Sequence, residues 1–246
     1  MSKKTKWSTE LMVVGGLVLF AAAAFFVTAT AAAAATTVPS NFPTTVVINL
    51  DDRKDRWKEV QDEFASWPVP VERVSAVRLK PGWKGCSASH LKCVRLAKER
   101  GLPWILILED DCVLRPDAAR RFTELLPTLW STRDRWDMFN GGVTALKKHR
   151  RVSYTPLLYE VYGYAANFYL VHEASYDRIL DGHPPTPAQF KDPIDVYYAD
   201  TFRIWTTTPY LAAQRPGKSD IETERKGLMD YTSSFDKAEQ KLLRTQ

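Results

Sequence analysis

The sequence predicts an α/β domain with a mostly parallel central sheet, and three features carry this prediction. Strand-like runs rich in β-branched residues alternate with amphipathic helical segments from residue 44 to residue 214. Several of these runs are apolar throughout, as expected of strands that are covered on both faces. Polar residues and glycines follow them directly. These residues are therefore expected at the carboxyl ends of the strands, where open α/β sheets bind their ligands.

The first half of the domain shows this alternation clearly. The β-branched run at residues 44–50 predicts a strand, and residues 52–67 repeat apolar side chains at helical spacing. Residues 71–77 predict a second strand. Residues 86–100 predict a helix whose last turn is basic, as the helix dipole favours. Residues 104–109 are apolar up to the final glutamate and predict a strand buried on both faces.

The second half continues the pattern up to a charged C-terminal tail. Its predicted elements, in chain order, are a helix at 116–130, a strand at 136–142, a strand at 162–172, a helix at 173–182 and a strand at 206–214. Proline suits the first turn of the 116–130 helix, and a glycine closes the 173–182 helix. The predicted domain covers residues 45–222, and residues 223–246 form the tail, expected as a surface helix or a disordered segment.

The N-terminal segment predicts a membrane anchor. Residues 1–10 contain three lysines, and none of residues 11–35 is charged. As a helix, residues 11–35 would extend about 37 Å, enough to cross a hydrocarbon core about 30 Å thick. The preceding lysines place the N-terminus in the cytosol, which gives a single-pass type II protein with residues 36–44 as a stem. A cleaved signal peptide, and hence a secreted or lumenal protein, is the alternative.

Charge and cysteine content exclude two classes of protein. The net charge of +5 is far below that of a dedicated nucleic-acid-binding domain, so no nucleic-acid partner is expected. The three cysteines are an odd number and match no zinc-binding spacing, so they are expected as small core residues.

The basic run at residues 147–151 is expected as a solvated loop, with contact to an acceptor or a membrane as the alternative.

An acidic triplet, Glu109, Asp110 and Asp111, follows the buried strand without a break. Two carboxylates about 4 Å apart repel each other by roughly 4 kcal/mol at an effective dielectric of 20. Because side chains alternate along a strand, Glu109 and Asp111 are expected to face one way and Asp110 the other. Oxygen ligands on one face can share Mg²⁺ or Mn²⁺, which also bridges to phosphates. The alternative is a solvated acidic turn, but the apolar strand before the triplet favours a metal site.

Cations and a glycine-containing turn follow the other strand ends. Arg53, Lys54 and Arg56 lie at the start of a predicted helix, where the dipole disfavours cations unless an anion binds nearby. Ordinary surface ion pairs are the alternative. The turn at residues 82–90 suits close approach of a ligand to backbone amides. His90 in this turn would, by itself, more often be a structural histidine.

A general base is needed if an acceptor hydroxyl is to attack a donor. The segment FKDPIDVYYAD offers Asp192, Asp195 and Asp200. The segment AAQRPGKSDIE offers Gln214, Ser219 and Asp220, beside Arg215 and Lys218. Each of these residues is more often an ordinary loop residue than a catalytic one. Spacing alone therefore does not identify the base.

Seven segments in this order resemble motifs of glycosyltransferase family 25, which includes lipopolysaccharide and procollagen galactosyltransferases. They are VINLDDRKDRW, GCSASH, ILEDDCVL, WDMFNGG, YGYAANFYLVHEASYDRIL, PIDVYY and QRPGKSDIE. The resemblance extends from residue 45 to about residue 222. The chain departs from the family in its short length, in its apolar N-terminus and in WDMFNGG, where Leu-Gly is more usual.

The resemblance implies a GT-A type nucleotide-sugar-binding fold, a UDP-hexose donor and inversion at the anomeric carbon. It implies Asp111 as the best metal ligand, with Glu109 as second metal ligand and Asp110 contacting the donor. It implies Asp195 as the base, with Asp192 as the second choice. The remaining residues expected at the donor are Asn49, Arg53, Arg56, Ser89, His90 and Asp220.

The sequence therefore predicts a membrane-anchored, divalent-metal-dependent glycosyltransferase, with Mn²⁺ preferred to Mg²⁺. It would move a hexose, galactose or glucose, from a UDP-sugar to a hydroxyl of a glycan, a lipid-linked sugar or a protein. The alternative is a catalytically silent glycosyltransferase-like module that binds a glycan or a protein. A nucleotidyltransferase is disfavoured because the chain has no glycine-rich N-terminal loop bearing a basic residue.

Overall fold

A computed structural model describes residues 42–217 and 231–244 and confirms the α/β class. The strands are β1 Thr44–Asn49, β2 Val71–Ser75, β3 Trp104–Glu109, β4 Cys112–Leu114, β5 Met138–Asn140, β6 Thr144–Tyr154, β7 Leu157–Tyr164, β8 Phe168–His172, β9 Ile204–Thr207 and β10 Ala212–Gln214. The helices are α1 Lys54–Glu63, α2 Gly82–Glu99, α3 Ala118–Ser131, α4 Glu173–Asp181, α5 Ile194–Thr201 and α6 Thr232–Leu243, with a short 3-10 helix at Pro187–Gln189.

The central sheet is mixed, which corrects the expectation of a mostly parallel sheet. Its eight strands follow the order β2-β1-β3-β8-β5-β9-β7-β6. The pairs β1–β2, β1–β3 and β5–β9 are parallel, and the other four neighbouring pairs are antiparallel. Because β8 runs against both β3 and β5, the carboxyl ends of β1, β3 and β5 still share one edge of the sheet.

Helices cover both faces of the sheet, and β3 contributes to both cores. Ile105 and Ile107 of β3 pack into the core that contains buried residues of α2, α4, α5 and α6. Trp104, Leu106 and Leu108 pack into the other core, with buried residues of α1 and α3. All five side chains are at most 1% exposed. This confirms the prediction of a strand buried on both faces and fixes the position of the residues that follow it.

Three predicted segments differ from the structure. Residues 162–172 belong to two strands, β7 and β8, and residues 206–214 also belong to two, β9 and β10. Pro209 lies between β9 and β10, where its missing N–H prevents continuation of a ladder. The basic run at 147–151 is not a loop, because it lies within the strand β6. Most of its charged side chains are solvated because β6 is an edge strand of the sheet.

The C-terminal segment packs into the domain rather than projecting from it. Phe235 and Leu242 of α6 are fully buried in the core that also contains α2. The domain therefore includes residues 231–243, beyond the limit at residue 222 that the sequence predicted.

The predicted anchor and stem, residues 11–35 and 36–44, lie largely outside the described residues and stay predictions. Within residues 42–217 and 231–244, no helix has the length and apolar character needed to cross a membrane.

Candidate functional site

The polar residues that follow β1 and β3 form one cluster at the shared carboxyl edge of the sheet. The two strands are neighbours and pair Ile48 with Glu109 in register. Asn49 is buried at the end of β1. Glu109 ends β3, and Asp110 and Asp111 form a turn into β4. The prediction that the strand ends bring these residues together is thus confirmed by their contacts.

Asp110 is held by the first strand and the first helix. Its Oδ2 accepts a hydrogen bond of 2.7 Å from the amide of Asn49, and its Oδ1 lies 3.3 Å from Nη1 of Arg56. The Oδ1 of Asn49 in turn accepts a hydrogen bond from Nε of Arg73. Burial raises the pKa of Asp110, whereas the Asn49 hydrogen bond and the Arg56 charge oppose this rise. Asn49 therefore positions Asp110, and its side-chain amide N–H is already engaged in that hydrogen bond.

Asp111 has one oxygen engaged and one oxygen available. Its Oδ2 accepts a hydrogen bond of 2.8 Å from the Gln214 amide and lies 3.3 Å from Nη1 of Arg56. Its Oδ1 is buried and has no hydrogen-bond partner among the described residues. Burial, reinforced by the charge of Glu109, raises the pKa of Asp111 to about 7. A carboxylate oxygen in this state fits a divalent cation, which would stabilise the ionised form.

Glu109 contacts a different set of partners. Its Oε1 lies 3.0 Å from Nε2 of the fully buried His90 and 3.7 Å from Sγ of Cys86. The other ring nitrogen of His90 lies 3.1 Å from the hydroxyl of Tyr169. All of these contacts of Glu109 use Oε1. Glu109 also lines both of the cavities described below.

The predicted alternation of the triplet is wrong, and the reason is the end of the strand. Side chains alternate only while the backbone is extended, and β3 ends at Glu109. In the turn that follows, Asp110 and Asp111 both contact Nη1 of Arg56, whereas Glu109 contacts His90. The two aspartates therefore form one pair, and Glu109 stands apart from them.

Arg56 is the predicted helix-start cation that enters the site. It is 7% exposed and contacts the aspartate pair. Arg53 is partly exposed and forms a bidentate contact with Asp55 on the same helix start. Both arginines thus contact the protein's own carboxylates, as the alternative of ordinary ion pairs expects, and the binding of an anion near them stays a prediction.

Ser89 supports the backbone before α2. Its buried hydroxyl donates to the carbonyl of Gly85 and accepts a hydrogen bond from the amide of Val77, both within 2.8 Å. A Cβ on Gly85 would lie 2.4 Å from the carbonyl oxygen of Val77, so only glycine permits this approach. Ser89 and Gly85 together hold the loop that walls one side of the site.

Two cavities meet at the cluster. The larger, about 810 Å³, is lined by residues that include Trp83, Asp195 and Tyr231. The smaller, about 120 Å³, is lined by residues that include Asn49, Arg56, Ser89, His90, Asp110 and Asp111. Cys86, Glu109 and Gln214 line both cavities. The larger volume lies within the range of ligand sites in proteins.

The structure distinguishes the predicted bases. Asp195 lies in the first turn of α5 and lines the larger cavity. Burial raises its pKa, and the charge of Glu109 adds to this rise. Asp192 is exposed in the turn before α5 and lines neither cavity. Asp200 lies exposed at the other end of α5, and Asp220 lies outside the described residues.

Three residues of the site were not predicted from the sequence. They are Arg73, Cys86 and Tyr169, which contact Asn49, Glu109 and His90 respectively. The spacing of Cys86 and His90, four residues apart on one helix, was a usable signal because such residues share a face. Arg73 and Tyr169 lie on strands without any distinguishing pattern, so nothing in the sequence marks them.

The pKa of Asp111 predicts an unusual dependence of stability on pH. In the metal-free protein, Asp111 retains its proton up to about pH 7, whereas the unfolded chain loses it near pH 3.8. The folded state thus binds more protons between these values, so this group lowers the free energy of unfolding as pH rises to about 7. We therefore expect the free energy of unfolding of wild type to fall relative to that of Asp111→Asn between pH 3.8 and about pH 7. Above about pH 7 the difference between the two proteins should stay constant. Urea unfolding in chelator measures this difference, and a difference independent of pH would contradict the assignment.

One protein-family model matches a part of the chain that includes residues of this site. The family model described as glycosyltransferase family 25 (LPS biosynthesis protein) matches residues 78–137, from the loop before α2 to the residue before β5. This match confirms the predicted resemblance over that part of the chain. No curated protein matches the chain.

Solved structures with similar backbones include a protein from STIV, with 14% identity and a TM-score of 0.44 over 70% of this chain and 85% of that one. A glycosyltransferase involved in the glycosylation of the major capsid of PBCV-1 has 11% identity and a TM-score of 0.38 over 65% of this chain and 76% of that one. Mannose-1-phosphate geranyltransferase from Thermus thermophilus has 12% identity and a TM-score of 0.37 over 66% of this chain and 58% of that one.

The matched segment contains His90 and the whole acidic triplet, so the family match and the cluster coincide. Residues 78–137 thus match glycosyltransferase family 25, and this match supports a transferase of glycosyl groups.

Proposed function

We propose that this chain is a GT-A type glycosyltransferase that transfers a hexose, galactose or glucose, from a UDP-sugar to a hydroxyl acceptor with inversion. The observation that carries the proposal is Asp111, a buried acid with an oxygen that lacks a partner in the described structure, at the carboxyl edge of the sheet. It lies within the segment that matches glycosyltransferase family 25. The acceptor class is a glycan, a lipid-linked sugar or a protein hydroxyl.

A divalent cation, Mn²⁺ in preference to Mg²⁺, would be held by Asp111, with Asp110 and Oε2 of Glu109 beside it. The charges support this proposal, since Asp110 and Asp111 share the guanidinium of Arg56 in the contacts of the described cluster, and Glu109, which contacts His90, adds a third carboxylate beside them. The remaining negative charge suits a doubly charged ion, and carboxylate oxygens are ligands that such ions prefer. When bound, the ion would supply charge stabilisation for the departing diphosphate.

The donor would extend from the smaller cavity toward the larger one. The smaller cavity is below the usual volume of a complete ligand site, so it would hold part of the nucleotide. The hexose would then lie near Glu109 and Gln214, which line both cavities. Arg56 and the backbone held by Ser89 would position the diphosphate. Arg53 is proposed as a further contact at the rim.

The acceptor would occupy the larger cavity. Trp83, Tyr164 and Tyr231 contribute to its lining, and aromatic walls with a few polar groups are typical of ligand sites. Asp195 would accept the proton of the acceptor hydroxyl as its oxygen bonds to the anomeric carbon. The bond from that carbon to the diphosphate breaks on the opposite face. The raised pKa of Asp195 improves it as a base at neutral pH.

Calorimetry with UDP tests the donor part of the proposal. We expect UDP to bind the purified protein in the presence of Mn²⁺ and to bind much more weakly in chelator, because the cation links the carboxylates to the diphosphate. A screen of UDP-sugars for UDP release then identifies the hexose. A silent module that has lost its donor site would show no metal-dependent UDP binding, and that outcome would overturn the proposal.

A further inference from the structure

Cys86, His90 and Glu109 form a second cluster of metal-binding side chains beside the aspartate pair. One ligand atom from each residue lies within 4.8 Å of the other two. Cys86 and His90 are one helical turn apart on α2, and Glu109 ends β3. The cluster thus joins a helix to the end of the central buried strand. The transferase proposal above assigns neither Cys86 nor this side of Glu109 a role.

We propose that Cys86, His90 and Glu109 bind a zinc ion through Sγ, Nε2 and Oε1. A tetrahedral zinc ion with ordinary bond lengths sets its nitrogen and oxygen ligands about 3.3 Å apart, and its sulfur and oxygen ligands about 3.5 Å apart. The corresponding distances here are 3.0 Å and 3.7 Å. The third pair, Sγ and Nε2, lies within 4.8 Å. A shift of about 1 Å brings it to the roughly 3.5 Å that the same bond lengths require, so modest side-chain shifts allow the three ligands to surround the ion.

The chemistry of the three ligands selects zinc over Mn²⁺ and Mg²⁺. Thiolate and imidazole favour softer ions, whereas Mn²⁺ and Mg²⁺ prefer oxygen ligands. Binding would release the thiol proton of Cys86 to solvent, and the thiolate and carboxylate would then neutralise the two charges of the ion. Glu109 can serve both metal sites, because Oε1 faces Cys86 and His90 while its contacts leave Oε2 for the donor side.

The surroundings of His90 suit this role. Metal-bound histidines commonly donate their second N–H to an oxygen, which fixes the ring orientation. Nδ1 of His90 lies 3.1 Å from the Tyr169 hydroxyl, which in turn lies 3.3 Å from the Tyr198 hydroxyl. In the tautomer with a proton on Nδ1, His90 donates to Tyr169 and presents the lone pair of Nε2 to the ion.

The site would keep an open coordination position. Three protein ligands and a fourth position for water or a ligand are typical of zinc sites that are not purely structural. Cys86 and Glu109 line both cavities, so a small molecule in either can reach the ion. The inferred zinc ion therefore lies where the two cavities meet.

Metal analysis and cobalt substitution test the site directly. We expect the purified full chain to retain zinc, and Co²⁺ exchanged into it to show a thiolate-to-cobalt charge-transfer band and visible bands of tetrahedral geometry. Cys86→Ser removes the charge-transfer band, because a hydroxyl cannot provide it. Cys93→Ser is the matched control, since Cys93 is fully buried on the same helix and lies outside the cluster.

A second variant tests the inferred orientation of His90. Tyr169→Phe keeps the ring and removes the hydroxyl, and we expect zinc affinity to fall about 10- to 100-fold, as for other partners of metal-bound histidines. An unchanged cobalt spectrum in Cys86→Ser, or a wild-type protein that shows neither zinc nor the band, would overturn the inference. Metal-dependent UDP binding is measured separately with Mn²⁺, so failure here leaves the transferase proposal intact.

Discussion

Replacing Asp111 with Asn is expected to lower the rate of hexose transfer by about 10²- to 10³-fold, the usual cost of removing a charge-stabilising group. Asn has nearly the same shape and retains a polar contact to Gln214 through its side-chain oxygen, so the fold should persist. It removes the negative charge that the proposed cation requires. Steady-state UDP release with saturating donor and Mn²⁺ measures the rate, and calorimetry measures the accompanying loss of metal-dependent UDP binding.

A control for this variant is Asp134→Asn. Asp134 is exposed before β5, at the edge of the sheet opposite the cluster. Its substitution also removes one carboxylate, so it corrects for a general change in net charge. Full turnover by Asp111→Asn, with the control equally active, would show that the cluster does not act on the donor.

Replacing Asp195 with Asn is expected to lower kcat by about 10²- to 10⁴-fold, the contribution typical of a general base. UDP affinity in Mn²⁺ should stay unchanged, because Asp195 lines the larger cavity and not the smaller one. Since burial and Glu109 raise its pKa, the acidic limb of the wild-type rate profile should lie above the usual range for an aspartate. Measurement of kcat against pH, with UDP affinity measured in parallel, tests both expectations.

Asp192→Asn provides the discriminating comparison in the same segment. Asp192 is exposed and lines neither cavity, and its variant is expected to turn over normally. A severe loss in Asp192→Asn with normal activity in Asp195→Asn would reverse the assignment of the base.

The sequence identified the elements that are buried and left the edges of the sheet uncertain. β3 was predicted with its observed bounds, because five apolar residues between Pro103 and Glu109 permit few alternatives. β6 was missed because an edge strand exposes much of its length, so its basic residues resemble those of a loop. α6 was expected only as a surface helix or a disordered segment because it carries many charged residues, although its buried Phe235, Ala238 and Leu242 follow the i, i+3, i+7 spacing of an amphipathic helix.

The sequence predicted which residues belong to the site better than it predicted which of them contact one another. Asp110 and Asp111 follow a buried strand, and that local pattern was sufficient to select them. Their partners Asn49 and Gln214 lie 61 and 103 residues away, respectively, so no sequence spacing relates them. The turn at Asp110 also changed which acids share a face. The predicted alternation had been extended beyond the end of β3 at Glu109, and sequence spacing does not show how a turn orients the side chains that follow a strand.

The basic strand β6 has a consequence for the behaviour of the protein in concentrated solution. As one of the two edge strands of the eight-stranded sheet, β6 presents backbone groups to which a strand of a second chain could add. Its cluster of lysines and arginines repels an identical strand, and two irregularities in its register with β7 bend it away from a flat template. The charges at residues 147–151 thus protect the edge of the sheet from self-association.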